Sequence, residues 1–191
     1  MTTLKPKDTK FTIEKQFAVA IDLIKANVES FGPEWFLDTS RQENFVTHSQ
    51  TNMYQIKYLD YAWMPGDPIK ITEVNQMPSQ EAEKQLQDLF RQIEEAYNGK
   101  VVRAEIIKML KNTKIRKHVD KGEMLSVSRR CHIPIITNPN VFFTVFNNTV
   151  NMEEGYCYEI NNCLPHAVEN NSDLDRVHII IDILPNSYFG L

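Results

Sequence analysis

Three residues in the second half of the chain have the side chains and the spacing of a metal site: His118, Asp120 and His166. On an extended segment, residues i and i+2 project to the same side, so a His-x-Asp pair can present both side chains to one ion. A histidine from a neighbouring strand would add the third ligand. Two imidazoles and one carboxylate form the facial triad of non-haem Fe(II) oxygenases, which leaves the opposite coordination positions open. We therefore predict an iron site on these three residues.

A His-x-Asp pair alone is a weak pattern, because surface residues often form one, and Arg176 strengthens it. Arg176 follows His166 by ten residues, at the start of the next predicted strand. A 2-oxoglutarate that chelates iron through its keto acid end has a second carboxylate, which needs a cation. A planar guanidinium can bind that carboxylate through two parallel hydrogen bonds. Arg176 is therefore predicted to bind 2-oxoglutarate, with Fe(II) and O₂ as the other cofactors.

Two predicted strands repeat an Arg-x-His pattern, Arg130 with His132 and Arg176 with His178. Alternation places these residues on one face of each strand and a run of Ile, Val and Cys on the other face. The polar faces could simply contact water. A polar interior that binds an anion would explain both strands at once, and we prefer this interpretation.

The elements that must position these residues are mainly short strands. After Gly99, runs rich in β-branched and aromatic residues alternate with connectors rich in Asn, Asp, Gly and Pro, which is typical of successive strands. The predicted strands are residues 101–110, 124–127, 131–136, 141–146, 156–160 and 177–184. Their number and spacing favour a sandwich or a jelly roll.

The first hundred residues are mixed in character. Apolar residues at helical spacing predict a helix over 13–31, and alternation over 54–58 predicts a strand. Ser79 can cap a second helix, which Asn98-Gly99 would end. We expect one oxygenase domain over residues 1–191, with 1–100 as a mixed α/β support region and 101–191 as the metal-binding β core. The predicted fold is mainly β with flanking helices.

Composition excludes several other classes of protein. The chain has 191 residues and a formal net charge of −4, without a dense Lys/Arg run that would predict a nucleic-acid surface. No apolar run approaches the ~20 residues of a membrane helix, and the N-terminus lacks the apolar segment of a signal peptide. Three cysteines without metal-site spacing argue against a disulfide framework and favour a cytoplasmic location. The oligomeric state stays open.

An ordered set of motifs resembles the aspartyl/asparaginyl β-hydroxylase family of 2-oxoglutarate oxygenases. The motifs are His118-Val119-Asp120, Arg130-Cys131-His132-Ile133-Pro134-Ile135, Glu154-Gly155, Pro165-His166-Ala167-Val168-Glu169-Asn170 and Asp175-Arg176-Val177-His178. The resemblance covers roughly residues 106–185. Arg41-Gln42 and Phe45-Val46-Thr47-His48 also look like a segment of small bacterial and phage relatives.

The resemblance implies a double-stranded β-helix, the jelly roll of cupins, with iron on His118, Asp120 and His166. It also implies 2-oxoglutarate on Arg176, with Arg130 and His132 assisting. Animal aspartyl hydroxylases have glycine at the position of Asp120, whereas the family's bacterial free-amino-acid hydroxylases have the full triad. The expected reaction is hydroxylation of an unactivated C–H bond in a free amino acid or an amino-acid side chain, so the substrate is a small molecule or a peptide.

Two alternative functions and the roles of four further residues stay open at this point. A cupin-like metal-binding protein or isomerase could use the same ligands without 2-oxoglutarate. His178 could be a core histidine or could assist the cosubstrate. His48 is interpreted as structural, with a role in the substrate pocket as the second possibility. Asn161 and Asn162 are interpreted as turn residues, with the orientation of a metal-bound water as the second possibility.

Overall fold

The computed structural model describes residues 11–39, 43, 49–60 and 62–191. The segment with Arg41, Gln42 and 45–48, including His48, lies outside the described residues. None of the helices in the described part of the chain is both long and apolar enough to cross a membrane.

The described elements are eleven strands and three α-helices, with two short 3₁₀ turns. The strands are β1 (Ile13–Ala18), β2 (Thr51–Tyr58), β3 (Thr72–Glu73), β4 (Gly99–Met109), β5 (Thr113–His118), β6 (Arg129–Ile136), β7 (Val141–Val145), β8 (Asn148–Val150), β9 (Tyr156–Ile160), β10 (His166–Asn170) and β11 (Arg176–Pro185). The helices are α1 (Asp22–Glu29), α2 (Gln80–Tyr97) and α3 (Glu123–Val127), and the 3₁₀ turns are Pro33–Phe36 and Asn186–Phe189.

The described strands form two antiparallel sheets. The larger sheet has the order β1-β9-β6-β11-β4-β2-β3, and the smaller sheet has the order β5-β10-β7-β8. Strands from the first hundred residues thus lie at both edges of the larger sheet. Two facing antiparallel sheets of this kind form the predicted jelly roll. The division into a support region and a β core stays a prediction.

Helices α1 and α2 cover the outer face of the larger sheet. The odd-numbered residues of β11 from Val177 to Ile183 share one hydrophobic cluster with Ile24 of α1 and Leu86 of α2. Strand alternation then turns the even-numbered residues of β11 towards the space between the two sheets. The polar and apolar faces predicted for β6 and β11 are therefore found, and the polar faces point to the interior rather than to water.

The prediction for α2 is confirmed at both ends. The Ser79 hydroxyl accepts a hydrogen bond from the Ala82 backbone N–H at 3.3 Å, as a helix N-cap does. Asn98 ends the helix in the left-handed conformation, with φ of 46°.

Two predicted elements were wrong. Residues 13–18 form strand β1 rather than the first part of a helix, because Ile13 pairs with Ile160 at the edge of the larger sheet. Residues 124–127 lie in helix α3, where Met124, Leu125 and Val127 are buried. A short apolar run fits a buried strand or a buried helical turn equally well, so local pattern could not decide between them.

Candidate metal centre

The backbone pairing of the smaller sheet brings the three predicted ligands together. His118 ends β5 and His166 begins β10, and the two residues are direct partners in the antiparallel ladder. Asp120 lies two residues beyond His118. Its Oδ1 lies 3.8 Å from Nε2 of His118 and 3.7 Å from Nε2 of His166. One potential ligand atom from each residue lies within 4.8 Å of the other two.

A β-bulge aims His118 into the interior. The ladder pairs His118 with His166 but Ile115 with Val168. Between the two pairs the chain therefore advances three residues along β5 and two residues along β10. Regular alternation would place Ile115 and His118 on opposite faces of the strand. The extra residue returns both side chains to the interior face, which is a common use of bulges beside active sites.

Both histidines present the nitrogen that a metal would need. Nδ1 of His118 contacts the carbonyl oxygen of Arg116 at 2.7 Å, and Nδ1 of His166 contacts that of Leu164 at 3.0 Å. A hydrogen on Nδ1 satisfies each contact, and in a neutral ring this leaves the lone pair on Nε2. Burial lowers the pKa of His166 below its ordinary value, which favours the neutral ring. The donor set therefore fits a divalent transition metal.

Arg130 controls the protonation of Asp120. Burial alone would raise the pKa of Asp120, but nearby positive charge, that of Arg130 above all, outweighs that effect. The pKa of Asp120 is therefore lower than its ordinary value, and the side chain is a carboxylate. The contact responsible is a hydrogen bond from Nη1 of Arg130 to Oδ2 of Asp120.

Arg130 is itself held by a buried ionic network across three strands. Its Nε donates to Oδ1 of Asp182 and its Nη2 to Oδ2 of Asp182, each at 2.8 Å. Nη1 of Arg103 also donates to Oδ2 of Asp182, at 3.3 Å, and Nε of Arg103 donates to Glu105 at 2.8 Å. Sequence analysis did not identify this pairing of Asp182 with Arg130.

Arg176 lies in the interior with only 1% of its surface exposed. Its Nη2 contacts Nδ1 of His178, a buried ring whose pKa is lowered by burial and by the charge of Arg176. His178 is therefore neutral, and its Nδ1 accepts the hydrogen bond from Arg176. The hydrogen of His178 then lies on Nε2, which has no hydrogen-bond partner among the described residues.

One cavity between the sheets contains every predicted site residue. His118, Asp120, Arg130, His132, His166 and Arg176 line it together. Apolar side chains complete its wall, among them Phe143, which sequence analysis did not identify. The Phe143 ring lies parallel to His166 at 6.3 Å and edge-to-face with His132 at 4.9 Å. Because these partners come from separate strands, local sequence gave no signal for them.

Asn161 and Asn162 support the turn before β10. Oδ1 of Asn161 accepts a hydrogen bond from the Cys163 N–H at 3.2 Å. The Asn162 carbonyl oxygen accepts one from the Asp120 N–H at 3.3 Å, and its side-chain amide donates to the Leu125 carbonyl at 3.0 Å. These contacts agree with the predicted turn role and also fix the backbone of Asp120.

Residues 41–185 match the sequence profile of the aspartyl/asparaginyl β-hydroxylase family, which is more than half of the chain. Comparison with curated protein sequences gave no significant match.

Solved structures share the fold at low sequence identity. A viral collagen prolyl hydroxylase of Paramecium bursaria chlorella virus 1, in complex with 2-oxoglutarate, aligns over 92% of this chain and 97% of its own, with 8% identity and a TM-score of 0.54. An oxidoreductase of the 2OG-Fe(II) oxygenase family from Burkholderia pseudomallei aligns over 70% of this chain, with 15% identity and a TM-score of 0.53. The match spans 66% of that chain, slightly less than two thirds. The non-heme monooxygenase ThoJ, in a nickel complex, aligns over 90% of this chain and 72% of its own, with 9% identity and a TM-score of 0.51. The predicted jelly-roll fold is confirmed.

Proposed function

Since this chain belongs to the aspartyl/asparaginyl β-hydroxylase family and is a 2-oxoglutarate-dependent hydroxylase with Fe(II), 2-oxoglutarate and O₂ as cofactors, we propose a role for each residue of its site. His118, Asp120 and His166 hold the iron. Arg176 binds the distal carboxylate of 2-oxoglutarate, and Arg130 and His132 assist. The family assignment also decides against the cupin-like protein without 2-oxoglutarate chemistry.

One observation carries the metal assignment. The Nε2 atoms of His118 and His166 both face the same oxygen of Asp120, at 3.8 and 3.7 Å. Nδ1 of each ring contacts a backbone carbonyl oxygen, so Nε2 is the nitrogen that each ring turns towards the Asp120 carboxylate. One ion placed between the three atoms would be bound by two imidazole nitrogens and one carboxylate oxygen.

The balance of charge in the interior supports the cosubstrate assignment. Three guanidinium groups lie buried around the cavity, those of Arg103, Arg130 and Arg176. Three carboxylates accompany them: those of Glu105 and Asp182 are buried, and that of Asp120 is nearly buried. The three guanidinium charges and the three carboxylate charges cancel, so a divalent cation by itself would leave an uncompensated charge of +2 in a poorly solvated space. The dianion of 2-oxoglutarate restores neutrality.

The protein residues then have distinct tasks in the reaction. Bound Fe(II) and 2-oxoglutarate supply the oxidising power for C–H hydroxylation, with succinate and CO₂ as coproducts. Arg176 orients the cosubstrate through a planar, two-bonded contact. His166 remains a neutral ligand because burial lowers its pKa. Phe143 and the aliphatic wall exclude water from the reacting atoms.

We propose that the substrate is a free amino acid or an amino-acid side chain in a peptide, within the small-molecule or peptide class that the family implies. The complete His-Asp-His triad supports the free amino acid. A screen of free amino acids against matched peptides, scored by succinate formation, separates the two classes. Stimulation by peptides alone would contradict the free-amino-acid assignment.

We also propose a cytoplasmic location, as the free thiols of all three cysteines support.

The iron assignment is tested with His166→Ala. The variant should lose Fe(II) binding, measured by calorimetry on the metal-free protein, and should lose succinate formation. Glu169→Ala is the matched control, because Glu169 lies on the same strand with its side chain 45% exposed and paired with Lys114. The control should retain both properties. Metal binding and turnover that persist in His166→Ala would contradict the assignment.

A further inference from the structure

The two oxygens of Asp120 have different surroundings. Oδ1 faces His118 and His166, whereas Oδ2 accepts the hydrogen bond from Arg130. A carboxylate can bind a metal through one oxygen or through both. Because Oδ2 is occupied by a guanidinium, only Oδ1 is presented to the ion.

The number of ligand atoms from the protein matters for this chemistry. An octahedral ion has about six positions, and three protein atoms leave three for the keto acid and for O₂. An aspartate that bound through both oxygens would occupy a fourth position. The cosubstrate and O₂ would then compete for the remaining two.

Arg130 can restrain Asp120 only if Arg130 is itself held in place, and Asp182 provides that restraint. The two bonds from Arg130 to Asp182, both 2.8 Å, form the planar fork typical of a rigid Arg–carboxylate pair. Asp182 is 1% exposed. It contacts neither of the ligand histidines through any hydrogen bond or ion pair in the described part of the chain.

We propose that Asp182 is a positioning residue, which through Arg130 keeps Asp120 a ligand with one coordinating oxygen. This inference rests on the proposed iron site and adds a residue that does not itself touch the metal.

The sheet architecture supports a positioning role. Asp182 is the direct Cα partner of Arg103 on β4 and of Arg130 on β6. The carboxylate therefore sits between two guanidinium groups in three adjacent, hydrogen-bonded strands, where its position is fixed by the backbone. Arg103 is in turn held by Glu105. A restraint built from central strands is stiffer than one built from a loop.

The chain offers a matched control on the neighbouring residue. Arg129 precedes Arg130 on β6 and therefore points to the opposite face of the sheet, where its Nη1 contacts the two oxygens of Glu159 at 3.0 and 3.1 Å. Glu159 is 3% exposed. Glu159→Gln and Asp182→Asn thus each remove one buried negative charge from an Arg–carboxylate pair, but only Asp182 lies on the side of the metal site.

The experiment measures Co(II) binding to the metal-free protein by calorimetry and by the visible absorption of the bound ion. Asp182→Asn should weaken Co(II) binding by about 10- to 100-fold, which is the range for groups that orient metal ligands, and should change the Co(II) spectrum. Glu159→Gln should bind Co(II) within about twofold of the wild type and leave the spectrum unchanged.

The variant Arg130→Lys separates the effect of the planar contact with Asp182 from the effect of the positive charge. It also provides a second test if Asp182→Asn fails to fold. Lysine keeps the positive charge but cannot form the fork. The proposal predicts weaker Co(II) binding and an altered spectrum for this variant. A loss caused by net charge alone would leave Arg130→Lys like the wild type, and that result would overturn the proposal.

Co(II) binding distinguishes an error in the proposed iron site from an error in the proposed role of Asp182. If the wild-type protein binds no Co(II), the proposed iron site is wrong. If the wild type binds Co(II) and Asp182→Asn binds it equally well with the same spectrum, the positioning role is wrong and the iron site stands.

Discussion

His118 and His166 lie directly opposite each other in the ladder between β5 and β10, with their ring centroids 4.3 Å apart. Because backbone hydrogen bonds set this distance, main-chain geometry holds the two imidazoles close together. The bulge in β5 turns His118 inwards, and contacts between Nδ1 and the carbonyl two residues earlier hold both rings. The preorganisation of the site follows from main-chain geometry, and it leads to the predictions below.

Asp120→Asn should weaken Fe(II) binding by more than the ~100-fold that loss of a ligand-orienting group can cost. The amide keeps the size of the side chain but loses the negative charge that pairs with Arg130. The same charge would bind the ion. Calorimetry with Fe(II) under anaerobic conditions measures the effect. An affinity equal to that of the wild type would rule out Asp120 as a ligand.

Arg176→Lys should raise the KM for 2-oxoglutarate by about 10- to 100-fold, because one of two charge-assisted hydrogen bonds is lost. Metal binding should stay unchanged, since Arg176 is not one of the three proposed iron ligands and its Nη2 contacts His178. Succinate formation at varied 2-oxoglutarate gives the KM. An unchanged KM would show that another group binds the distal carboxylate.

The stability of the metal-free protein should fall as pH decreases below about 6.5, partly because of His178. Burial and the charges of Arg176 and His132 hold the pKa of His178 well below 6.5 in the folded state. The unfolded chain binds a proton that the folded chain does not, so acidification favours unfolding. The contribution present above pH 6.5 is lost as the pH falls.

His178→Gln removes this titration while keeping an acceptor for Arg176 and a donor. Between pH 6.5 and pH 5.0 the wild type should lose about 2 kcal/mol more of its free energy of unfolding than the variant does. Urea denaturation at the two pH values measures the difference. Equal pH dependence in both proteins would mean that His178 is not held neutral.

Ser79→Ala should lower the free energy of unfolding by about 1 kcal/mol, because the N-cap of α2 loses its acceptor for the Ala82 N–H. Fe(II) affinity should not change, since α2 covers the outer face of the larger sheet, away from the cavity. Thermal or urea unfolding gives the first quantity and calorimetry the second. A change in metal affinity would indicate that the helix layer is coupled to the site.

The sequence by itself determined the identity of the chemical groups and the periodicity of the strands that carry them. Few combinations of residue types can bind both Fe(II) and a dicarboxylate, and this led to the prediction of His118, Asp120, His166 and Arg176. The interior faces of β6 and β11 were predicted because alternation with period two is a local property. The cap at Ser79 was predicted because the preference of serine for a helix N-terminus is also a local property.

The tertiary structure decided the relationships between strands distant in sequence. Residues 13–18 form β1 because they pair with the edge strand β9, although the apolar residues over 13–31 recur at helical spacing. The bulge in β5, the stacking of Phe143 on His166 and the pairing of Arg130 with Asp182 all depend on which strands become neighbours and in which register. Register results from the packing of the whole sheet, so no local segment contains it. The sequence thus determined which atoms could bind iron, and the sheets determined which oxygen of Asp120 faces the two histidines.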